Sequence, residues 1–383
     1  MSELSPFIMD EVEMPLVSVV TDMEDTGYAV DVDHFRQLRQ NLEPEVQQLT
    51  DDIRAVAESE EFNPNSTKQL QWLLFTKIGL TPVKNTAGGT PAVDDETLRR
   101  LESQHPVVPL LRRYSALRKV LSTYCNKIPN EVADDGRYYA QFNQLSADSG
   151  RFGSPCLSQT IPKADEFGIR NGFVAESGYT IVAADYDQQE LKLLAQASGD
   201  KNMLEAIQEG VDLHSLAAVK VFELDCEPHE VKNQYLEHRD QVKTIQFGLV
   251  YGSTARGLAP RLNLTQDQAQ NLINDYFRQF PAVKTLIERT HKDVTRQGYI
   301  DDMFGRRRQL PNAQINIPKK KFHNMTEDEK RRCGKVSAAK RQAQNTIIQG
   351  AGATITKLAM IRCHGHIKAA YPDARMILTL HDE

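Results

Sequence analysis

No run of about 18 apolar residues occurs in the chain, so no segment has the make-up of a membrane-spanning helix. The opening "MSELSPFIMDEVEMPLVSVV" puts no basic segment ahead of an apolar one, so no secretory signal is expected, and a cytoplasmic location is. Cysteine is scarce. Cys125, Cys156, Cys226, Cys333 and Cys363 are odd in number, scattered and without a CxxC pair, which argues against a disulfide framework or a cysteine zinc site. Internal repeats and low-complexity tracts are missing too. Nor is there an excess of positive charge: 46 Lys and Arg face 52 Asp and Glu, a net of -6 that by itself discourages a nucleic-acid partner.

The distribution of that charge says more than its sum. The first 62 residues are acid-rich, whereas "GRRRQL", "PKKKF" and "EKRRCGKVSAAKRQ" concentrate cations between Gly305 and Gln342. One such run is commonly a solvated surface; three in one segment favour a lobe that faces a polyanion. With 383 residues, 40 % of them hydrophobic, the chain can bury a sizeable core and fill two or three domains or lobes.

Three- and four-residue apolar spacing predicts a mostly helical region up to about residue 125, interrupted by the Gly- and Pro-containing loop "TPVKNTAGGTPAV". Short alternating segments from "GRYYAQFNQLSADSGRFGSP" onward are consistent with strands. "GYTIVAADYDQQELKLLAQASGD" reads as strand, polar turn and helix, residues 200 to about 350 as helical, and "ARMILTLHDE" as strand again. Two predicted strands, each ending in acidic residues, therefore flank a large helical segment.

Asp185 follows the apolar run Ile181 to Ala184, and Asp382 with Glu383 follows "ILTL". Taken alone, an Asp in such a place is more often a helix cap or turn residue. If the two strands are neighbours, the pair is a pattern for holding Mg²⁺ with hard oxygen ligands. Two such ions about 4 Å apart serve in-line displacement at phosphorus. In "HRDQVKTIQFGLVYG", Arg239, Lys243, Phe247 and Tyr251 recur every fourth position and form a slowly winding helical stripe. Two cations followed by two rings suit a triphosphate and a base better than an ordinary amphipathic face. His214 offers a third phosphate contact, although a lone helical His is more often structural.

"DYDQQEL", the Arg239 to Gly252 series and the terminal "HDE" resemble the three polymerase motifs of the family A DNA polymerases, the bacterial DNA polymerase I class. "EMPLVSVVTDMEDTGYAVD", "FNQLSADSGRF", "LSQTIP", "FGRRRQLPN" and "NTIIQGAGATITKLAM" also look like family segments, in the family's order. The resemblance implies an α+β right-hand fold: a thumb over residues 1–125, an antiparallel-sheet palm over 126–196 and 350–383, and helical fingers over 197–349. It also implies template-directed transfer of deoxynucleotides to a primer 3′-OH, in DNA replication or repair, in a bacterial or phage-infected cell near the nucleoid. The implied partners are primer-template DNA and deoxynucleoside triphosphates; the cofactor is Mg²⁺, two ions, with Mn²⁺ as a substitute.

By position, the resemblance gives Asp185, Tyr186 and Asp382 to the metals, with Glu383 beside them. Arg239, Lys243, His214 and Gln188 go to the nucleotide, Lys243 also as proton donor to pyrophosphate. Phe247 is expected to pack on the incoming sugar and base, Tyr251 to stack at the templating position, and Glu190 to block a ribose 2′-OH. Arg151, Gln349, His381, Gly248 and Asn143 are expected against DNA.

Departures from the family pattern are Asp187, Gln189 and Lys192 after the motif's Asp-Tyr, Phe247 in place of Tyr, and Asp240 where a second Arg is common. Neither a 5′ nuclease nor a proofreading domain is expected in this chain, and the family continues beyond the point where this sequence stops. Two alternatives stand beside the polymerase: a primer-template-binding fragment, whether inert or completed by a C-terminal partner as half of a split enzyme, and a single-subunit RNA polymerase.

Overall fold

The computed structural model describes residues 5–86, 88–153, 161–162, 165–318 and 320–380. They fall into two compact units. One comprises Met1–Glu24, Gln141–Pro155 and Ala183–Glu383; the other comprises Asp25–Ala140 and Cys156–Val182.

After α1 (Met14–Thr26), the second unit is built from α2 (Val32–Ala57), α3 (Thr67–Gln71), α4 (Asp95–Leu101), α5 (Val107–Val120) and α6 (Ile128–Glu131). The helical spacing read from the sequence is realised here. Asp31 caps α2 by accepting the His34 N–H, and Phe35, Leu42, Leu49 and Ile53 recur at helical intervals as its buried face. Arg113 of α5 donates to Glu45 of α2 at 2.7 Å, so the α2–α5 pair is joined by charge as well as by apolar packing. Strands β1 (Tyr28–Ala29) and β2 (Arg137–Tyr138) pair antiparallel, with Tyr28 opposite Tyr138.

In the first unit follow α7 (Gln189–Ser198), α8 (Lys201–Gln208), α9 (Leu213–Phe222), α10 (Val231–Gln234), α11 (Leu236–Val250), α12 (Ala255–Leu262), α13 (Gln266–Gln279), α14 (Pro281–Gln297) and α15 (Glu327–Ala370). Their core includes Leu194, Ala217, Ile245, Leu258, Tyr276 and Ile348. Reciprocal caps open two of them, Thr265 with Gln268 at α13 and Thr326 with Glu329 at α15. Between α14 and α15 lies an antiparallel hairpin that the periodicity did not suggest, β3 (Tyr299–Asp301) with β4 (Arg307–Gln309). No described helix is long and apolar enough to cross a membrane.

Two expectations need correction. Neither Ile181–Ala184 nor Met376–Leu380 forms a strand. Val182 is 86 % exposed, and among the described residues no ladder joins these runs. A strand is held by a neighbour's hydrogen bonds, and apolar content does not supply that neighbour. The run Arg306 to Arg308, read as facing a polyanion, is instead answered within its own unit. Arg306 pairs with Glu13, Arg307 with Asp301 and Arg308 with Asp148.

Candidate active site

Helix α11 sorts its residues by face. Val242, Ile245, Gln246 and Leu249 sit at helical spacing and are buried, which turns Arg239, Lys243 and Phe247 toward the other side. Tyr251 follows at the C-terminal end, and its ring stacks on Phe247 with centroids 6.5 Å apart and planes 17° from parallel. Lys243 is exposed. Arg239 is not: its Nε and Nη2 donate to the two oxygens of Asp212 at 3.2 and 2.9 Å, a two-pronged pair that fixes the guanidinium plane.

Asp212 organises the region. It caps α9 through the Ser215 N–H, accepts a weaker bond from Gln188 at 3.3 Å, and draws Lys232 to 3.5 Å. Burial alone would raise its carboxyl, but the Arg239 guanidinium and the Ser215 N–H hold it far below the usual carboxylate range. Gln188 also accepts the Leu213 N–H at 2.9 Å, so the left-handed residue that opens α7 ties that helix to the start of α9.

His214 is buried, with Nδ1 lying 2.6 Å from Gln246 Oε1 and its ring 5.7 Å from that of Phe247. Burial pushes its imidazole below the ordinary range. In the tautomer whose Nδ1–H donates to Gln246 Oε1, Nε2 carries a proton for a phosphate only in the imidazolium form.

A second constellation lies around Glu190 in the first turn of α7. Both its oxygens accept from the Tyr251 hydroxyl, at 2.9 and 3.0 Å, and Oε1 also accepts from Arg151 at 2.7 Å. Burial and the adjacent Glu190 charge raise the Tyr251 phenol, which keeps it a proton donor, with Gln349 of α15 beside it. The structure therefore gathers Arg151, Glu190, Tyr251 and Gln349, and links them through the Phe247 ring to His214. Asn143 sits on the same loop as Arg151, where its backbone exchanges hydrogen bonds of 2.7 and 2.8 Å with Gly153. Gly248 has a packing role of its own: a Cβ there would come within 2.4 Å of Leu258 Cδ2.

Asp185 and Tyr186 stand on an exposed segment just before α7. Asp382, Glu383 and His381 lie outside the described residues, and among the described residues no group of three His, Cys, Asp or Glu gathers to hold a metal. Asp185 is exposed and its carboxylate is of the hard oxygen type that Mg²⁺ takes as ligand.

The family model for DNA polymerase family A matches residues 32–383. The chain belongs to that family. DNA polymerase I of Chloroflexus aurantiacus is 36 % identical over 394 residues, spanning 100 % of this chain and 39 % of that protein. The thermostable DNA polymerase I of Thermus aquaticus is 35 % identical over 97 % of this chain and 43 % of its own length. The chain thus spans about two fifths of these relatives. Among solved structures, the POL domain of Pol1 from M. smegmatis, in complex with DNA primer-template and dNTP, superposes with a TM-score of 0.86 at 32 % identity, covering 98 % of this chain and 63 % of that one. Helix-rich with small antiparallel sheets, the architecture is that of a family A polymerase domain.

Sequence reasoning missed three features of this unit. Asp212 carried a signal, since an Asp before "LHSLAAV" is a helix cap, but its grip on Arg239 is a tertiary fact. Gln246, one residue from Phe247, gave no sign of its bond to His214. The ionic group of Glu13, Arg306 and Lys357, 293 and 344 residues apart in sequence, had none at all.

Proposed function

We propose that this chain carries out template-directed DNA synthesis, adding deoxynucleotides to a primer 3′-OH. The observation that carries the reading is the joint presentation, by α7, α9, α11, α15 and the loop that carries Arg151, of the cationic side chains of α11 and the Glu190–Tyr251–Arg151 cluster. Cations and rings on one surface match a triphosphate and a base, and a half-buried carboxylate gripped by a phenol and a guanidinium matches a check on the sugar.

In this reading Lys243 and Arg239 take the triphosphate. Arg239 must share its guanidinium between Asp212 and phosphate, so Asp212 orients it and limits its travel. His214 joins once the polyanion favours its protonated form. Phe247 packs on the sugar and base, and Tyr251 occupies the templating position until a template base replaces it. Asp185, the Tyr186 carbonyl and Asp382 would hold Mg²⁺, which supplies charge neutralisation and activation of the attacking hydroxyl. Lys243 passes a proton to the leaving pyrophosphate. Gln349, Asn143, Gly248 and His381 serve the primer-template, and the hand is divided as thumb 1–125, palm 126–196 with 350–383, and fingers 197–349.

Single-nucleotide primer extension with Mg²⁺, run beside Asp185→Ala with primer-template binding recorded in parallel, tests this. Extension by the wild type and its loss in the variant are expected. Binding without extension in the wild type would favour the second reading, a primer-template-binding chain that acts only with a C-terminal partner.

A further inference from the structure

Helix α11 is followed by Tyr251 and then by a left-handed glycine, Gly252, at φ 70°. The Gly252 N–H donates to the Leu249 carbonyl at 3.0 Å and the Ser253 N–H to the Gly248 carbonyl at 2.7 Å, the paired closure by which a helix end satisfies two of its last carbonyls. The Leu249 oxygen then takes a second donor. Gln344 of α15, itself buried, donates its amide N–H to that oxygen at 3.1 Å, and the Oε1 of the same amide lies 2.8 Å from His291 Nε2 on α14. A carbonyl only accepts, so the amide nitrogen has to face Leu249 and the amide oxygen His291, and His291 has to carry its proton on Nε2. Burial lowers the His291 imidazole from its ordinary range, against the pull of Gln344, so at neutral pH the ring works as an uncharged Nε2–H donor.

A His–Gln pair that served only to join α14 to α15 would stop at Gln344. This one runs on to a carbonyl that Gly252 already satisfies, so the helix end does not need it for saturation. What it adds is position: it fixes where the last turn of α11 rests on α15, two residues before Tyr251. Packing alone leaves that open, because a cavity lined by Val250, Ile287, Thr290, Gln344 and Ile347 gives the turn room on the same side. Where packing leaves room, a directional bond decides the resting place. Tyr251 is thus held from three directions: at its hydroxyl by Glu190, at its ring by Phe247, and at its backbone by His291 and Gln344 through Leu249.

We propose that His291, acting through Gln344, is a positioning residue for the last turn of α11 and for the Tyr251 ring beside it. The inference rests on the polymerase reading for its consequence and on the hydrogen-bond chain alone for its geometry. If a template base has to displace Tyr251, the chain sets part of the work of displacement, work that a correctly paired nucleotide supplies and a mispaired one does not. Loosening it therefore makes the site less selective rather than inactive.

Hydrogen–deuterium exchange at the amides of residues 251–253, with α13 as internal control, tests the chain, and single-nucleotide extension of a primer-template hairpin tests its consequence. His291→Leu, which keeps bulk and removes the donor, is expected to speed exchange at 251–253 about five-fold and to leave α13 unchanged. His291→Gln, whose amide nitrogen can take the place of Nε2, should restore exchange to within about two-fold of wild type. Gln344→Leu should do at least as much as His291→Leu, and adding His291→Leu to it should change nothing further, as one chain requires. In extension, the ratio of kcat/KM for the correct over a mismatched deoxynucleotide should fall about five-fold in His291→Leu, and not at all when Tyr251→Ala is already present. Unchanged exchange at 251–253 in both leucine variants overturns the proposal, whatever extension shows. So does a loss of protection that spreads over α13, the mark of a merely structural pair, or a loss of selectivity that persists with Tyr251→Ala. Faster local exchange in a chain that extends no primer would uphold the positioning role and overturn the polymerase reading.

Discussion

Glu190 accepts a hydrogen bond shared between its two oxygens from the Tyr251 hydroxyl and another from Arg151, so its carboxylate has little freedom, and a substrate group that meets it meets a rigid wall. If Glu190 sets sugar selection, shortening it removes the wall, whereas Tyr251→Phe only loosens it. Glu190→Ala is expected to raise the relative kcat/KM for ribonucleotides by roughly 100-fold, about 2.7 kcal/mol of discrimination. Tyr251→Phe, which takes away one hydrogen bond to a charged group, is expected to raise it about ten-fold. Steady-state single-nucleotide incorporation of matched ribo- and deoxynucleotides measures both. A wild type that prefers ribonucleotides would sink the assignment and favour the RNA-polymerizing alternative. Asp212 offers a separate handle, because Asp212→Asn keeps the cap on α9 but gives up the charge that orients Arg239. The KM for deoxynucleotides should rise about ten-fold, with kcat less affected, if Arg239 acts on the ground-state triphosphate.

Helix α15 brings Lys357 into a site it shares with two remote segments. The ammonium is 1 % exposed and donates to Glu13 at 2.8 and 3.0 Å and to the Gln144 carbonyl at 2.8 Å, while Arg306 donates to the same Glu13. Gln144 belongs to the loop that carries Arg151, so the group fixes that loop on α15. Two buried cations share one carboxylate, and removing it leaves both uncompensated. Glu13→Gln is expected to destabilise the unit by about 3–5 kcal/mol in urea unfolding, whereas replacing all three residues by Met should cost much less. Burial drives the Lys357 ammonium down to about 8 from an ordinary 10.5, against the pull of Glu13. The folded chain then binds fewer protons than the unfolded one between these values, so this group makes stability rise with pH across that window. The difference in unfolding free energy, wild type minus Lys357→Met, should increase between about pH 8 and 10; a flat or falling difference would contradict the assignment.

Over the whole molecule, what the sequence made legible was local. Helix spacing foretold α2 and the face of α11, because burying one side of a helix needs only neighbours three and four residues away. What it hid was relational: whether Ile181–Ala184 finds a strand partner, which acid answers Arg239, and which run of cations is spent on internal pairs. The division into two units is relational as well, since residues 141–155 join α7 to α15 while the segments on either side of them belong elsewhere. Each unit has its own apolar interior, with Phe35, Leu73 and Leu111 in one and Ile245, Leu258 and Tyr276 in the other. A unit with its own core is able to unfold at its own denaturant concentration. The single tryptophan, Trp72, lies in the unit that holds α2 to α6, so its fluorescence reports that unit, whereas far-ultraviolet circular dichroism reports the helices of both. Equilibrium unfolding in urea is therefore expected to give a Trp72 transition that does not coincide with the dichroism curve, the latter being broader or two-stepped. Glu13→Gln should move the part of the dichroism curve that Trp72 does not see and leave the fluorescence midpoint in place. Coincident curves that shift together in the variant would mean that the chain folds as one cooperative body.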